Sequence, residues 1–305
     1  MRSGWAIVFF GLLAGGRICP LAAQDGFSIA SYNVKNYLLE SIPGRKSKPE
    51  AARERVAQTL LLARADVVML QEMGPAEALA ELQGRLAAGG LDYPHRRLVQ
   101  GADQAIRLAL LSRYPIGRTR WHTNDQFLVE GRRQWVRRGF LEAEISPRKE
   151  YCFTLLAAHL KSKFPAPYAR ESEIRRKEAA ILRRKVEDLL AEAPDRNLMV
   201  VGDLNDTPDS AAVRTVLGRG KRRLFDVKPY EWVFVDGQFV IERPQVRWTF
   251  YYPTGGAYSR VDYVLLSRGM KREWRPEASL IAAVPYWFEA SDHRLLKIAF
   301  AIGDR

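Results

Sequence analysis

The feature of the sequence that most constrains its fold is a series of short apolar runs, rich in β-branched and aromatic residues, that have the length of β-strands. Longer segments with the apolar period of a helix are about half as frequent. In the later part of the chain strand follows strand without a helix between them, so two packed sheets with helices outside fit better than one parallel sheet. The strand-like runs are 27–32, 67–70, 108–111, 140–145, 151–160, 198–201, 246–251, 261–266 and 295–301, and the helical segments are 49–63, 75–87, 168–191 and 208–217.

The composition indicates a globular chain with a large core. The sequence has 305 residues, of which 47% are hydrophobic and 27% charged. No repeat, low-complexity tract or Ser/Gly-rich linker interrupts residues 24–305. We therefore predict one domain over residues 24–305, and we expect it to be a monomer.

The first 23 residues have the layout of a secretory signal peptide. A basic tip at Arg2 precedes a short apolar stretch, and the segment closes on small residues at Ala23. The stretch is too short, and too broken by two glycines and Arg17, for a comfortable membrane span. A retained N-terminal anchor is the alternative interpretation. We expect cleavage after Ala23, a secreted or periplasmic protein and no stable membrane span.

The chain is strongly basic, with a formal net charge of +13. Such a charge favours polyanionic partners, such as nucleic acid or an acidic membrane surface. Much of it lies in residues 170–185, where basic, acidic and apolar residues alternate as on a solvated helix face. The run 132–138 instead surrounds Trp135 with arginines. It could hold a phosphate backbone and stack a base, or form a basic hairpin loop.

Cys152 is the one cysteine that would remain after cleavage. It lies within an apolar run, which predicts a core residue rather than a nucleophile. A single cysteine cannot form an internal disulfide, so the stability of the exported chain must come from its core.

Polar residues stand where several predicted strands end. The apolar run 198–201 leads through Gly202 into Asp203, Asn205 and Asp206, which is typical of an active-site edge or of an Asp/Asn-rich turn. Taken alone, each such residue can be explained as a turn, a helix cap or a hydrogen-bonded histidine. Their repetition at strand ends favours an active site, and the residues are Asn33, Glu72, His159, Lys161, Lys163, Asp203, Asn205, Asp262, Asp292 and His293.

These residue types suit metal-assisted hydrolysis of a phosphodiester. Magnesium typically takes one or two carboxylates and keeps water and substrate as its other ligands, and Glu72 suits that role. Asp203 is available as a base or water-orienting carboxylate. Asp262 can hold His293 in one tautomer by accepting its ring N–H. Donors to the phosphate oxygens can come from Asn33, Asn205, His159 and His293.

Seven short motifs that carry these residues follow one another along the chain. They are Ser-Tyr-Asn33-Val, Leu-Gln-Glu72, Leu110-Leu-Ser-Arg-Tyr-Pro-Ile116, His159-Leu-Lys-Ser-Lys, Gly202-Asp-Leu-Asn-Asp-Thr-Pro208, Arg260-Val-Asp-Tyr-Val264 and Ser291-Asp-His293. In this order the chain resembles the endonuclease/exonuclease/phosphatase superfamily, which has the DNase I-like fold, over about residues 27–301. It lacks an obvious match to the signature of abasic-site repair endonucleases and looks closer to the secreted bacterial nuclease-like branch.

The resemblance implies an α/β fold, a four-layer α/β/β/α sandwich with two packed mixed sheets, with the site at the rim between the sheets. It also implies dependence on a divalent metal, which we expect to be Mg²⁺, with Mn²⁺ or Ca²⁺ as alternatives. Lys35 stands where some relatives carry an acidic residue, so we expect one metal. The implied roles are metal binding for Glu72, Asn33 and Asp292, substrate binding for Asn33, Lys161 and Arg260, and catalysis for His159, Asp203, Asn205, Asp262 and His293.

The catalytic residues do not identify the substrate, because the superfamily cleaves several kinds of phosphoester. A basic chain with lysines beside His159 and aromatic residues near the expected site favours a nuclease with DNA or RNA as its substrate. A sphingomyelinase-like phospholipid or an inositol or sugar-phosphate phosphoesterase is the alternative, with residues 284–288 as a membrane-docking loop or a packed connection. A third interpretation is a catalytically inactive polyanion-binding module. The aromatic residues are Trp135, Trp248, Tyr251 and Tyr252.

Overall fold

The computed structural model describes residues 26–241 and 246–303. The signal peptide expected at residues 1–23 lies outside these ranges. The helices are α1 Glu50–Ala63, α2 Ala76–Ala88, α3 Glu171–Glu192, α4 Ala211–Leu217, α5 Arg268–Glu273 and α6 Trp287–Ala290. The strands are β1 Gly26–Tyr37, β2 Val67–Met73, β3 His95–Val99, β4 Arg107–Ser112, β5 Ile116–His122, β6 Gln126–Val129, β7 Arg132–Trp135, β8 Phe140–Arg148, β9 Tyr151–His159, β10 Leu198–Asp203, β11 Phe225–Asp226, β12 Tyr230–Val235, β13 Gln238–Ile241, β14 Phe250–Tyr252, β15 Ala257–Ser259, β16 Asp262–Leu266, β17 Trp274–Ala283 and β18 Leu296–Ala301.

Two mixed sheets form the centre of the fold. The first has eight strands in the order β13-β12-β17-β18-β1-β2-β4-β3, and the second has six in the order β11-β16-β10-β9-β8-β5. β1 and β2 are parallel in the first sheet, as are β9 and β10 in the second, while both also contain antiparallel pairs. Parallel neighbours bring their carboxyl ends to the same edge, so residues that follow these strands can meet there.

Alternate residues of the central strands face two different cores. Along β1, Phe27 and Ile29 enter the core between the sheets, whereas Ala30 and Tyr32 pack in the core that contains α1 and α2. Along β9, residues of one face join the same inter-sheet core, and those of the other pack against α3 and α4. This period of two is what a strand buried on both faces requires. The four-layer sandwich with mixed sheets is therefore confirmed.

The basic segment that forms α3 is less solvated than its charge pattern predicts. Arg175 and Arg183 are both buried, because the first pairs with Asp206 at 2.9 Å and the second with Glu187 and nearby backbone carbonyl groups. The helix has 22 residues. Among the residues that the structure describes, no helix combines the length and apolarity needed to cross a bilayer.

The predicted strands in the middle of the two sheets are all present, but the predictions for peripheral segments are less accurate. The run 246–251 yields only the three residues of β14, and α4 begins at Ala211 with Ser210 as its N-cap instead of starting near Thr207 and Pro208. The prediction lacks several short strands, including β6, β7, β12 and β13, although β12 contains the apolar run 232–235. Each of them pairs with a neighbouring strand, which contributes to its stability.

Cys152 is exposed, so its prediction as a core residue is wrong. It shares a face of β9 with Leu156 and Ala158, which pack against α3. Cys152 stands near the start of the strand, beyond the part of that face which the helices cover. The apolar run predicted the strand correctly, but it could not show which part of the strand the helices cover.

Candidate active site

The candidate active site lies where the ends of β1 and β2 meet the ends of β9, β10 and β16. In the second sheet, Asp203 is in register with His159 on one neighbouring strand and with Asp262 on the other, so the three stand side by side. From the first sheet, the Asn33 side-chain amide donates to Asp203 Oδ2 at 3.0 Å. This hydrogen bond joins the two sheets at the rim that the sequence indicated.

His293 completes the cluster from the segment before β18. Its Nδ1 lies 2.8 Å from Asp262 Oδ2, and its Nε2 lies 3.9 Å from Asp203 Oδ2. The Thr249 hydroxyl accepts hydrogen bonds from the backbone N–H groups of Val261 and Asp262, each at 3.1 Å. Asp262 is therefore fixed, and it orients the His293 ring towards Asp203 as the Asp–His pairing requires.

Ser291 fastens the segment that carries His293 to β1. Its hydroxyl donates to the Asn33 carbonyl oxygen at 2.7 Å and accepts from the His293 backbone N–H at 3.1 Å. On the other side, the Phe250 ring packs 4.7 Å from the imidazole, measured between ring centres. The position of His293 relative to Asn33 is thus set by hydrogen bonds and packing together.

Burial and charge shift the pKa values of Asp203 and His293 upwards. Burial raises the pKa of Asp203 and the charge of Asp262 raises it further, to about 7, although His293 and two asparagine hydrogen bonds oppose the shift. Burial alone would lower the pKa of His293, but the charge and hydrogen bond of Asp262, together with Asp203, raise it to about 10. At neutral pH His293 is therefore cationic, and Asp203 is close to its titration point.

His159 is a buried, neutral neighbour of Asp203. Its Nε2 lies 3.6 Å from Asp203 Oδ2 and 4.0 Å from Glu72 Oε1. Burial, followed by the positive charges of Arg138 and His293, lowers its pKa well below the usual value. Its Nδ1 has no hydrogen-bond partner within the described part of the chain. A neutral imidazole can donate one hydrogen bond, so His159 is suited to contact a phosphate oxygen.

Gly202 and Asn205 shape the loop that carries Asp203. A Cβ at Gly202 would overlap the Ala158 carbonyl oxygen, and its φ of 138° is disfavoured for other residues. Asn205 has a left-handed φ of 54°, its backbone N–H donates to Asp203 Oδ1 at 2.7 Å, and its side chain donates to the Leu160 carbonyl oxygen at 3.0 Å. The carboxylate is consequently held in one orientation.

Glu72 stands at the cavity side of the cluster with a left-handed backbone, its φ being 62°. Its Oε2 accepts from the Asn36 N–H at 3.0 Å, and its Oε1 lies 3.4 Å from the Asn33 side-chain nitrogen. A non-glycine residue in this conformation is strained, and such strain is concentrated at functional sites. The conformation leaves the carboxylate 20% exposed and facing the cavity.

A cavity of about 710 Å³ opens over these residues. Glu72, Asp203 and His293 contribute to its floor. Phe164, which is 78% exposed, stands at its rim. Six basic side chains line the cavity, against four acidic ones, and Asp103 pairs with two of the arginines; the basic residues are Lys35, Arg45, Lys46, Arg137, Arg138 and Lys161. The cavity therefore presents positive charge around a buried acid–base cluster, as a phosphate site requires.

The model of the Endonuclease/Exonuclease/phosphatase family matches residues 30–293, which include every residue of this cluster. The chain belongs to this family. Its enzymes are hydrolases of phosphodiester bonds that depend on metal ions. Among curated proteins, none has a sequence similar enough to count as a match.

Several solved structures share this fold. A mutant of Staphylococcus aureus beta toxin with bound magnesium ions has 16% identity and a TM-score of 0.61, with 91% of this chain and 100% of that chain covered. Streptomyces griseocarneus sphingomyelinase C has 17% identity and a TM-score of 0.60, with 90% and 99% covered. Truncated Caenorhabditis elegans TDP2 has 16% identity and a TM-score of 0.59, with 90% and 97% covered. At these identities the likeness establishes the fold alone.

Arg260, expected from the family motif to bind substrate, is not brought to the cavity. Its two terminal nitrogens donate to the Asp226 carboxylate at 2.9 and 2.6 Å, and its guanidinium lies 4.5 Å from the centre of the Tyr263 ring. Arg260 is not among the residues that line the cavity. Asp226 is 34 positions away in the sequence, so the motif alone could not reveal this pairing.

Lys161 and Asp292 do line the cavity, but both are already engaged. The Lys161 ammonium donates to the carbonyl oxygens of Ser162 and Phe164 and so braces the rim loop. Asp292 Oδ2 lies 3.2 Å from the ammonium of Lys35. The lysine that departs from the family pattern therefore neutralises one of the carboxylates expected to bind metal.

The donors that face the cavity fit a hard divalent cation. Glu72 offers a carboxylate at the cavity, which has room for the water that Mg²⁺ retains. Asn33 is buried behind it, and its side-chain oxygen accepts from the Lys35 N–H at 3.0 Å. Asp203, Asp262 and His293 supply a second group of ligand atoms within 4.8 Å of one another. Asp262 Oδ1 is buried without a hydrogen-bond partner in the described residues. However, the close pairing of His293 with Asp262 suits this second group better to proton transfer.

Several residues that the sequence analysis did not assign also shape the site. Lys48 is buried, its ammonium lies 3.3 Å from the Lys35 carbonyl oxygen, and burial lowers its pKa to about 8 although Asp292 opposes the shift. Ser291 carried a sequence signal as part of the last family motif, and Arg138 carried one as the end of the basic run 132–138. The unassigned residues are Lys48, Arg138, Thr249, Phe250 and Ser291.

Proposed function

We propose that this chain is a divalent-metal-dependent phosphodiester hydrolase that cleaves DNA or RNA by in-line attack of an activated water. The observation that carries the proposal is the buried array in which Asp262 orients His293 and Asp203 lies between His293 and Asn33. The array stands under a basic cavity and beside the Glu72 carboxylate.

Asp203 and His293 form the acid–base pair of this reaction. The raised pKa of Asp203 makes its carboxylate a better proton acceptor for a water molecule at neutral pH. Cationic His293 stabilises the negative charge that develops on the phosphate, and neutral His159 donates to one of its oxygens. A metal ion held by Glu72, with Asn33 and Asp292 nearby, would neutralise further charge on those oxygens.

Nucleic acid is supported as the substrate by the surroundings of the cluster. The cavity walls carry six basic side chains, and the whole chain has a net charge of +13. Phosphate backbones are bound largely through such charge. Exposed aromatic rings near the cavity, including Phe164 and Phe288, add surfaces on which bases stack.

A sphingomyelinase-like lipid hydrolase is the second candidate. Trp287 and Phe288 lie just before the catalytic histidine, and Phe288 is 47% exposed. An exposed aromatic patch of this kind can enter a membrane interface. Beta toxin and sphingomyelinase C share the fold. The basic cavity would serve an anionic headgroup as well as a nucleic acid.

The decisive experiment incubates residues 24–305 with plasmid DNA, RNA, sphingomyelin vesicles and inositol phosphates, with Mg²⁺ and with chelator. We expect cleavage of nucleic acid that stops when the metal is removed. Asp203→Asn and His293→Asn should each lower the rate by about 10²–10⁴-fold, because each removes one member of the acid–base pair. Asp226→Asn is the matched control, since Asp226 is a partly buried aspartate outside the cavity.

Two results would decide against the proposal. Nucleic-acid cleavage that survives both substitutions would refute the mechanism. Turnover of sphingomyelin or inositol phosphates without any nuclease activity would replace the substrate.

We also propose that the protein is exported by the signal segment at residues 1–23. Expression of the full chain in a bacterial host, followed by N-terminal sequencing of the exported form, should give Gln24 as the first residue. Retention of the whole segment would favour the N-terminal anchor.

A further inference from the structure

A second cavity, of about 490 Å³, lies beside the catalytic segment and has no part in the chemistry described above. Its walls include the rings of Trp248, Tyr258 and Trp287, and Arg294 and Glu231 supply charged groups. We call it the aromatic pocket. Its volume falls within the range of about 300–1,000 Å³ that is typical of small-ligand sites.

The aromatic walls are built from rings that hold one another in place. The Trp248 ring centre lies 4.8 Å from that of Tyr258 and 4.9 Å from that of Trp287. Tyr251 stacks on Tyr258 from the neighbouring strand, with centres 4.6 Å apart and planes at 27°. Tyr258 is nevertheless 57% exposed, so much of its ring remains accessible.

The charged side of the pocket is a buried ion pair. Arg294 Nη2 lies 2.6 Å from Glu231 Oε2, and the Arg294 guanidinium carbon lies 4.0 Å from the centre of the Trp248 ring. Arg294 and Glu231 are both buried. Arg294 also donates to the carbonyl oxygens of Ala282 and Trp248, each at 3.4 Å. The pocket therefore combines flat aromatic walls with a fixed charged side. A nucleobase has the matching form, with two π faces and a polar edge, whereas an acyl chain has no polar edge.

The backbone connects the aromatic pocket directly to the catalytic histidine. Phe250 forms a β-bridge with His293, and the flanking hydrogen bonds run from the Tyr251 N–H to the Asp292 carbonyl at 2.9 Å and from the Arg294 N–H to the Thr249 carbonyl at 2.7 Å. Arg294, which faces the pocket, is the next residue after His293. The pocket therefore adjoins the backbone segment that carries His293.

We propose that the aromatic pocket binds one unpaired nucleobase of the substrate strand, next to the phosphate that is cleaved. The proposal rests on the proposed nuclease function and assigns a subsite to it. A base must leave its stack to enter the pocket, which favours single-stranded substrate. Tyr258 supplies the main exposed stacking surface, and the ion pair of Arg294 and Glu231 faces the base edge.

The test uses single-stranded oligonucleotides that have one cleavable phosphodiester, with the other linkages protected as phosphorothioates. In a series of them, a single abasic residue replaces each nucleotide in turn. For the wild-type enzyme, base removal at one position next to the cleaved linkage should lower kcat/KM by roughly tenfold, the scale of one base–aromatic stack. Tyr258→Ala should cause a similar loss on the intact strand, and base removal at that position should then have little further effect.

Two variants control for general damage. Tyr258→Phe keeps the ring and should retain most of the activity. Trp121→Ala removes a comparably exposed aromatic ring from β5, outside both cavities, and should match the wild type on every strand.

Base removal that is equally costly in Tyr258→Ala and in the wild type at every position would overturn the pocket assignment while leaving the nuclease function intact. A loss of sphingomyelin turnover in Tyr258→Ala, with oligonucleotide cleavage unchanged, would assign the pocket to lipid. If the wild-type enzyme cleaves no nucleic acid with metal present, both the proposed function and the pocket assignment are refuted.

Discussion

The catalytic cluster and the aromatic pocket are neighbours, but they are built from different kinds of structure. Asn33 lies within β1, His159 and Asp203 end β9 and β10, and Asp262 begins β16; all four residues are buried. Two of the pocket's rings stand on short elements, Tyr258 on the three-residue strand β15 and Trp287 on the four-residue helix α6, while β12 and β17 of the eight-stranded sheet form its base. Its main rings are partly exposed.

This difference separates the reaction from the choice of substrate. Groups that transfer protons must be held to within a fraction of an ångström, and paired strands supply that rigidity. A subsite that selects a base needs only a surface of the right shape, and short connections can change without disturbing the sheets. The predictions below test this division, beginning with the largest effect.

Asp262→Asn should reduce kcat/KM by about 10³-fold, because it removes the charge that orients His293 and holds it cationic. Without that charge the pKa of His293 falls, so the alkaline limb of the pH–rate profile should move to lower pH. The profile is measured on a plasmid or oligonucleotide substrate. An unchanged alkaline limb would mean that Asp262 does not act through His293.

Glu178→Gln should make the stability of the fold less dependent on pH. Glu178 accepts a hydrogen bond from the Lys161 N–H at 2.6 Å, and burial raises its pKa from 4.5 to about 7. Between these values the folded state keeps a proton that the unfolded state has lost, so the free energy of unfolding falls as pH rises, by up to roughly 3 kcal/mol. Urea unfolding at pH 4.5 and 8 should show a smaller fall in the variant than in the wild type, because the raised pKa values of Asp203 and His293 contribute to the fall in both proteins. Equal falls would show that another group is responsible.

Glu72→Gln should weaken the binding of the metal more than it lowers the stability of the fold. The amide cannot supply the negative charge of the carboxylate, so the Mg²⁺ concentration for half-maximal activity should rise by about tenfold or more. Titration of activity with Mg²⁺ measures the effect, and Tyr258→Ala should leave that concentration where it was. If the Mg²⁺ concentration for half-maximal activity also rose in Tyr258→Ala, metal binding would depend on the aromatic pocket, and the two regions would not be functionally separate.

Lys46→Gln and Arg137→Gln, at exposed positions on the cavity wall, should have the smallest effects. Each removes at most one phosphate contact, so the slope of log KM against log salt should decrease by about 0.7–0.9 and the rate at low salt by a few-fold. The measurement is KM between low and moderate salt concentrations. A loss of turnover at saturating substrate would instead place either residue in the catalytic cluster.

The two regions also differ in how far the sequence predicts them. Central strands such as β1 and β10 are long apolar runs that end in polar residues, so both the sandwich and the meeting of Asn33 with Asp203 could be inferred. The sequence analysis named Trp248 as an aromatic residue near the site and 284–288 as a loop, but it did not predict the pocket, because only tertiary contact brings the rings of Trp248, Tyr258 and Trp287 together.

Ion pairs were equally hidden from the sequence. Arg260 occupies the expected motif position, yet it pairs with Asp226 and does not line the cavity. Lys35 was recognised as a departure from the family pattern, but its contact with Asp292 depends on the approach of β1 to the segment before β18. Side-chain partners that are distant in sequence determine whether a charged residue is free to bind substrate.

The hydrogen bond from the Ser291 hydroxyl to the Asn33 carbonyl spans 258 positions of the sequence. A growing polypeptide that already contains Asn33, Glu72 and Asp203 still lacks its catalytic histidine. At a typical synthesis rate of about 5–20 residues per second, roughly 13–50 s separate the two ends of this contact. Throughout that interval the nascent chain lacks the contact between Asp203 and His293, so the proposed activity can arise only after the segment before β18 has reached β1.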